Sequence, residues 1–345
     1  MRRYFPVKFR IGSILITAIL INNVFLFGQK KYEIRFASVA LEGSTPITIM
    51  KKLNDELQMT SGGRLSIKIF PGTQGDEKQI ISKMNPRMPR LDGAGLTGRG
   101  LGEILPSTRV LELPFLFQSY EEVDLVVNKL QSYFAREFEK NGYVLLGWAE
   151  VGFVYVFSRN RIATVQDLRN AKVWCWADDP LAEEFFRSLK VSPIVLSLPD
   201  VLMQLQTPMI NTVYIHPYGA IVLTWYERTD YMNLLPITFG TGAVLITKEK
   251  FNELDPDLQE LLLSTSKKWL NELIKLTRKD NEDALKILQS KGIQFVPKPE
   301  GQELKIFQDA GIQTREKLVG KLYPRELLDQ VISSVNEIRN KQGRK

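Results

Sequence analysis

Strand-like and helix-like segments alternate along this chain, and that alternation restricts its fold more than any other feature. Residues 32–41 are rich in β-formers and lead through Glu42, Gly43, Ser44 and Thr45 into an apolar-periodic stretch at 47–59. Gly62-Gly63 ends that helix, and residues 64–70 alternate polar with apolar as a half-buried strand does. The run 143–157 is aromatic and β-branched, and reads as one bent strand or two joined ones with bends at Gly147 and Gly152. The alternation restarts after about residue 157. Strand candidates at 171–176, 193–198, 212–215 and 237–246 are separated by helix-like segments such as 181–189 and 199–206. Residues 255–291 form one amphipathic pattern with Pro256 near its start and no other Pro or Gly. Such a helix is about 50 Å long and able to tie two lobes together. The expected class is α/β, with two β-α-β lobes and a helix spanning both.

Residues 1–28 stand apart. Arg2, Arg3, Lys8 and Arg10 precede an apolar run at 11–27, the layout of a secretory leader. The run is slightly short of the roughly 20 residues that span a bilayer, and Asn22 and Asn23 weaken it, so cleavage near Gly28 into a periplasm-like compartment is expected. No Cys lies near that boundary to carry a lipid. Removing the four leader cations leaves 42 Lys and Arg against 39 acids, so most of the formal +7 charge belongs to the leader. The remaining charges are scattered instead of forming a basic stripe, and no nucleic-acid partner is expected.

Chemistry is sparse. Cys175 and His216 are the single Cys and His, which excludes an internal disulfide and a Cys-rich zinc site, and no cofactor or metal is expected. A Ser-His-acid triad would need His216, yet no Gly-x-Ser-x-Gly elbow is present. Gly93-Ala-Gly95-Leu-Thr-Gly98 matches a dinucleotide-binding spacing, but no hydrophobic strand precedes it. The competing reading is a short strand through Gly95 and Leu96 whose C-terminal end faces a cleft. Trp174 and Trp176 share one strand face and Cys175 takes the other. His216, in Tyr214-Ile215-His216-Pro217-Tyr218, reads equally as a cavity wall or an interior structural residue.

Several segments together resemble the DctP-type solute-binding proteins of tripartite ATP-independent periplasmic (TRAP) transporters. They are Gly75-Asp76-Glu77, Leu113-Pro-Phe-Leu-Phe117 with Tyr120-Glu-Glu122, Thr164-Val-Gln-Asp-Leu168 before Lys172-Val173, and Val244-Leu-Ile-Thr-Lys248 before Phe251. The resemblance covers nearly the whole chain after the leader. It implies a binding protein that closes on its ligand without chemistry of its own and delivers it to TRAP membrane subunits. Lobe I is expected at 29–152 and 242–274, lobe II at 153–241 and 275–330, and a charged, frayed tail at 331–345.

Departures from the family pattern bear on the ligand. The resemblance implies an arginine where Trp174 stands, a second where Val154 stands, and an asparagine where His216 stands. An indole with one N–H cannot replace a guanidinium fork. The expected ligand is therefore small and hydrophobic or amphipathic, with an organic acid on a non-standard anchor as the alternative, and an exported lipid carrier or enzyme beyond that. The expected wall comprises Phe153, Val154, Tyr155, Trp174, Trp176, Tyr214 and His216, with Glu42, Glu77, Leu96, Thr97 and Phe239. Loss of the arginine also resembles a TRAP subgroup whose binding protein works with a tetratricopeptide-repeat partner.

Overall fold

The β4 strand, Tyr143–Ser158, organises the computed structural model, which describes residues 30–85, 87 and 89–342. The expected leader and its cleavage point lie outside the described residues. Three strands precede it: β1 (Tyr32–Ser38), β2 (Leu65–Pro71) and β3 (Gly93–Thr97). Six follow: β5 (Trp174–Trp176), β6 (Ile194–Leu196), β7 (Thr212–Ile215), β8 (Tyr231–Asn233), β9 (Thr238–Thr247) and β10 (Gln294–Val296). Eight of them make one mixed sheet in the order β10-β8-β4-β9-β3-β1-β2, with β7 also paired to β4. β5 and β6 pair separately, and a bridge from Val173 to Thr212 ties them to β7. The expected strands at 171–176 and 193–198 are thus three residues each, because only those positions find a ladder partner.

β4 serves both halves of the molecule. Its residues from Tyr143 to Val154 run antiparallel to β9, and Tyr155–Ser158 pair with β7 instead. Register shifts fall at Gly147 and Gly152, the two bends that the glycines predict. Gly152 has a φ of 98°, and a Cβ there would approach Asn281 Nδ2 to 2.7 Å, so only glycine is accommodated.

Asn281 belongs to the helix Pro256–Ser290, 35 residues or about 52 Å long. Leu258, Leu262, Leu270 and Leu273 of this helix join a core with β1, β2 and the Thr45–Thr60 helix, whereas Leu288 joins a core with Phe157, Trp174, Trp225 and Met232. One helix therefore contributes to the cores of both halves, and each fully buried Leu stabilises by about 1.5–3 kcal/mol. The Tyr120–Lys140 helix packs Phe134 and Phe138 into a core with Leu245 and Trp148, and the Pro180–Ser188 helix packs Phe185 and Phe186 into another with Val154 and Val173. Among the described residues, no helix is long and apolar enough to cross a membrane.

Part of the tail that the sequence predicts to fray is held by packing of the Arg325–Gln342 helix, and residues 343–345 lie outside the described residues. The Arg325–Gln342 helix buries Val331 and Val335 in the same core as Phe134. Arg339 donates through Nε to Glu122 Oε1 at 2.6 Å and through Nη2 to the Leu116 carbonyl at 2.8 Å. Ser119 caps the Tyr120–Lys140 helix at its Oγ, but Glu122 does not close a capping box. Its carboxylate accepts instead from the Gln118 N–H and from Arg339. Periodicity alone does not reveal so distant a partner.

Candidate ligand-binding site

Strand ends from both halves converge on one cavity of about 300 Å³. Ser38 and Thr97 close β1 and β3 on one side, and Trp176 and Ile215 close β5 and β7 on the other. This is where open α/β sheets bind ligands, outside the carboxyl ends of their strands. Most of the wall is apolar, including Val154, Leu181, Phe185, Val222 and Ile237.

Of the residues expected there, Val154, Trp174, Trp176, Tyr214, His216, Leu96 and Thr97 line the cavity. Trp174 stacks on Tyr214 with ring centroids 4.9 Å apart, and its Nε1 donates to the Leu196 carbonyl at 3.1 Å. The indole is fully buried at the cavity wall, packed between Tyr214 and Trp225, and its single donor is already used. Trp176 lies 5.9 Å from Trp174 on the same face and donates from Nε1 to Asp76 Oδ2 at 3.2 Å. The other face carries Cys175, whose thiol burial pushes up to about 12 and leaves inert.

Five expected wall residues lie elsewhere. Phe153 and Phe239, cross-strand partners on β4 and β9, pack with Tyr120 and with each other in an aromatic core cluster. The register shift at Gly152 puts Phe153 on that side and Val154 on the cavity side. Tyr155 packs into the core around Trp174 and Phe157. Glu42 is exposed and pairs with Lys51 at the surface. Glu77 sits one layer behind the wall, fully buried, accepting from the Thr97 N–H at 2.5 Å and from its hydroxyl at 2.9 Å. Burial pushes its carboxyl up to about 7, against the pull of those two hydrogen bonds and the nearby Arg99 charge.

His216 turns out to be wall and structural residue at once. It occupies the N-cap of the Pro217–Val222 helix, with Nδ1 3.2 Å from the Gly219 amide nitrogen and 3.1 Å from Asn281 Oδ1. Burial holds its pKa down at about 4, so the ring is neutral at physiological pH. Asn281 also donates to the Val151 carbonyl and accepts from the Tyr218 N–H, joining the long helix to β4 at its bend.

Sequence reasoning missed four charged residues in this site. Arg109 and Glu112, on the 3₁₀ segment Pro106–Glu112, form a buried ion pair, and Arg109 Nη2 reaches both oxygens of Asp179 at 2.8 and 3.0 Å. Burial works against the Arg109 charge, but Asp179 and Glu112 overcome it and raise its pKa. Glu112 Oε1 accepts from the N–H and hydroxyl of Thr241, and Asp179 caps the Pro180–Ser188 helix. The fourth is Arg99, only 5 % exposed, whose Nε and Nη2 donate to the Ala177 carbonyl at 3.2 and 3.0 Å. Its Nη1 is buried without a hydrogen-bond partner.

The glycine segment makes room for these groups. β3 itself contains Gly93 and Gly95, so no strand precedes the glycines and the dinucleotide reading falls. A Cβ on Gly98 would lie 1.9 Å from Glu112 Oε1, one on Gly100 2.8 Å from Glu77 Cδ, and one on Gly102 2.7 Å from Arg109 Cδ. The readable signal was the spacing Gly98-x-Gly100-x-Gly102 followed by charges inside the apolar run Val110-Leu-Glu-Leu113.

A cavity bounded by strand ends from both halves of an α/β fold is a setting in which a solute can be bound. Residues 36–318 match the family described as bacterial extracellular solute-binding protein, family 7, and the chain belongs to that DctP family. It is 26% identical over 274 residues to the 2,3-diketo-L-gulonate-binding periplasmic protein YiaO of Escherichia coli, covering 78% of this chain and 81% of that one. The fold is similar to that of the sugar acid binding protein DctPAm of Advenella mimigardefordensis, in complex with galactonate. There the TM-score is 0.82 and the identity 19%, over 89% of this chain and 99% of that one. A TRAP periplasmic solute binding protein from Desulfovibrio salexigens with bound orotic acid is similar at a TM-score of 0.82 and 17% identity, over 89% and 100%.

Proposed function

We propose that this protein is the extracytoplasmic solute-binding component of a TRAP-type secondary transporter and that its ligand is an organic acid. The observation that carries the ligand class is the buried guanidinium of Arg99 on the wall of a largely apolar cavity, with one donor unmatched, whereas Arg109 is matched by Glu112 and Asp179. Buried cations have anionic partners, and here one partner set is incomplete. The hydrophobic ligand expected from Trp174 loses its support, because positive charge returns to the wall from the β3 side. YiaO and the galactonate and orotic acid complexes, all named for acids, weigh the same way. The lobes are read as 29–152 with 242–274 and 153–241 with 275–330, closing over the cavity. The tetratricopeptide-repeat partner and the arginine-lacking subgroup have only Trp174 and Val154 in their favour, and co-purification from cells tests them.

Native mass spectrometry of the purified protein, followed by titration with D-glucuronate, orotate and uncharged apolar compounds, tests the reading. A co-purified or titrated acid is expected. Binding of uncharged apolar compounds alone would exclude it.

A further inference from the structure

We propose that Arg99 is the anion anchor of this cavity, its Nη1 taking the carboxylate of a monocarboxylic acid whose uncharged, apolar body lies against Trp176, Leu181 and Phe185. The inference rests on the organic-acid reading and names the residue and ligand class within it.

Two guanidinium groups reach the wall, and they differ in what remains to be satisfied. Both terminal nitrogens of Arg109 are engaged, Nη1 by Glu112 and Nη2 by Asp179. Arg99 spends Nε and Nη2 on a single backbone carbonyl, that of Ala177, and leaves Nη1 buried and unpaired. A buried charged donor without an acceptor is uncommon in native structures; Arg159 and Arg315 also keep an unmatched Nε, but of the three only Arg99 lies on the cavity wall, where a ligand can supply the acceptor. The carboxylates nearest Arg99 do not relieve it. Glu103 and Asp178 face Nη2 at 3.6 and 3.9 Å, both beyond hydrogen-bond distance. Glu77 spends its oxygens on Thr97, and burial draws it toward the protonated form.

The rest of the site limits the ligand's charge to one. Arg99 lies over Trp176, its Cζ 5.8 Å from the ring centroid, so a cation–π contact helps to hold the guanidinium at the wall. Leu181 and Phe185 follow on the helix capped by Asp179, and among the described residues Arg99, which also forms ion pairs with Glu103 and Asp178, is the wall cation that keeps an unmatched donor. A second carboxylate would be buried against hydrocarbon. Because Arg99 follows β3 and Ala177 follows β5, the same guanidinium that holds the ligand also joins the two sides of the cavity.

Calorimetric titration of the purified protein with 3-phenylpropionate, its neutral amide 3-phenylpropionamide and D-glucuronate tests this. Wild type is expected to prefer the acid over the amide by about ten- to a hundredfold, the range of a charged hydrogen bond. Arg99→Gln should erase that preference, lowering acid affinity far more than amide affinity, and Arg99→Lys should restore part of it. The acid-to-amide comparison on wild type holds even if the variants fail to fold. Tight D-glucuronate binding unaffected by Arg99→Gln overturns the anchor while leaving the organic-acid reading intact. Equal binding of acid and amide without glucuronate binding overturns both. Failure of all three probes to bind overturns the apolar monocarboxylate assignment.

Discussion

Glu77→Gln should flatten the pH dependence of stability on the alkaline side. The Glu77 carboxyl is fully buried behind Thr97, and its pKa moves from 4.5 to about 7 chiefly because burial penalises the ion. Below 4.5 the side chain is protonated in both folded and unfolded chains, and its contribution is fully present. As pH rises through 4.5 the unfolded chain ionises first, so the unfolded state gains and stability falls. The loss is complete once the folded group also ionises, above about 7. The gap from 4.5 to about 7 corresponds to about 3 kcal/mol. Glutamine keeps an acceptor for the Thr97 N–H and can donate to its hydroxyl, so it removes the titration with little change in contacts. Urea unfolding followed by tryptophan fluorescence, at pH values from below 4.5 to above 7, measures the difference. Wild type and variant should diverge across that window, with the variant more stable by about 3 kcal/mol on the alkaline side. Parallel curves would refute the reasoning, because they would mean that Glu77 titrates over the same pH range in the folded and unfolded chains.

Asp179→Ala removes a partner of buried Arg109 and the N-cap of the Pro180–Ser188 helix together. A loss of about 3–5 kcal/mol is expected in the same unfolding assay, and a loss under 1 kcal/mol would mean that water replaces the carboxylate. Gly98→Ala places a methyl 1.9 Å from a Glu112 oxygen already held by Thr241, so poor yield or a loss above about 3 kcal/mol is expected by circular dichroism melting. Trp174→Phe keeps the ring face toward Tyr214 but strips the donor to Leu196, and about 1 kcal/mol of destabilisation should appear in urea unfolding.

The architecture was legible because it follows from period and punctuation. The long helix, the bends at Gly147 and Gly152 and the short strand through Gly95 can be read from residue order, since neighbours in sequence create them. The aromatic wall was legible in part. Trp174 and Trp176 share a face by strand alternation, but Phe153 and Phe239 were misassigned because the register shift at Gly152 decides which side of β4 each ring faces. The fate of Arg339 depends on Glu122, 217 positions away.

What the sequence determined by itself is therefore the α/β alternation and the spanning helix. Local propensity and periodicity suffice for both, whereas an arginine expected where Trp174 stands was implied only by the family resemblance. What only the tertiary structure decided is the charge of the cavity. Arg99 lies in the glycine segment and Arg109 beside a short apolar run, and they matter because Ala177, Asp179 and Glu112 meet them in a space where burial makes each partner count. Sequence spacing carries no distances between such groups, and one unpaired nitrogen on Arg99 becomes visible only after every other donor has been matched.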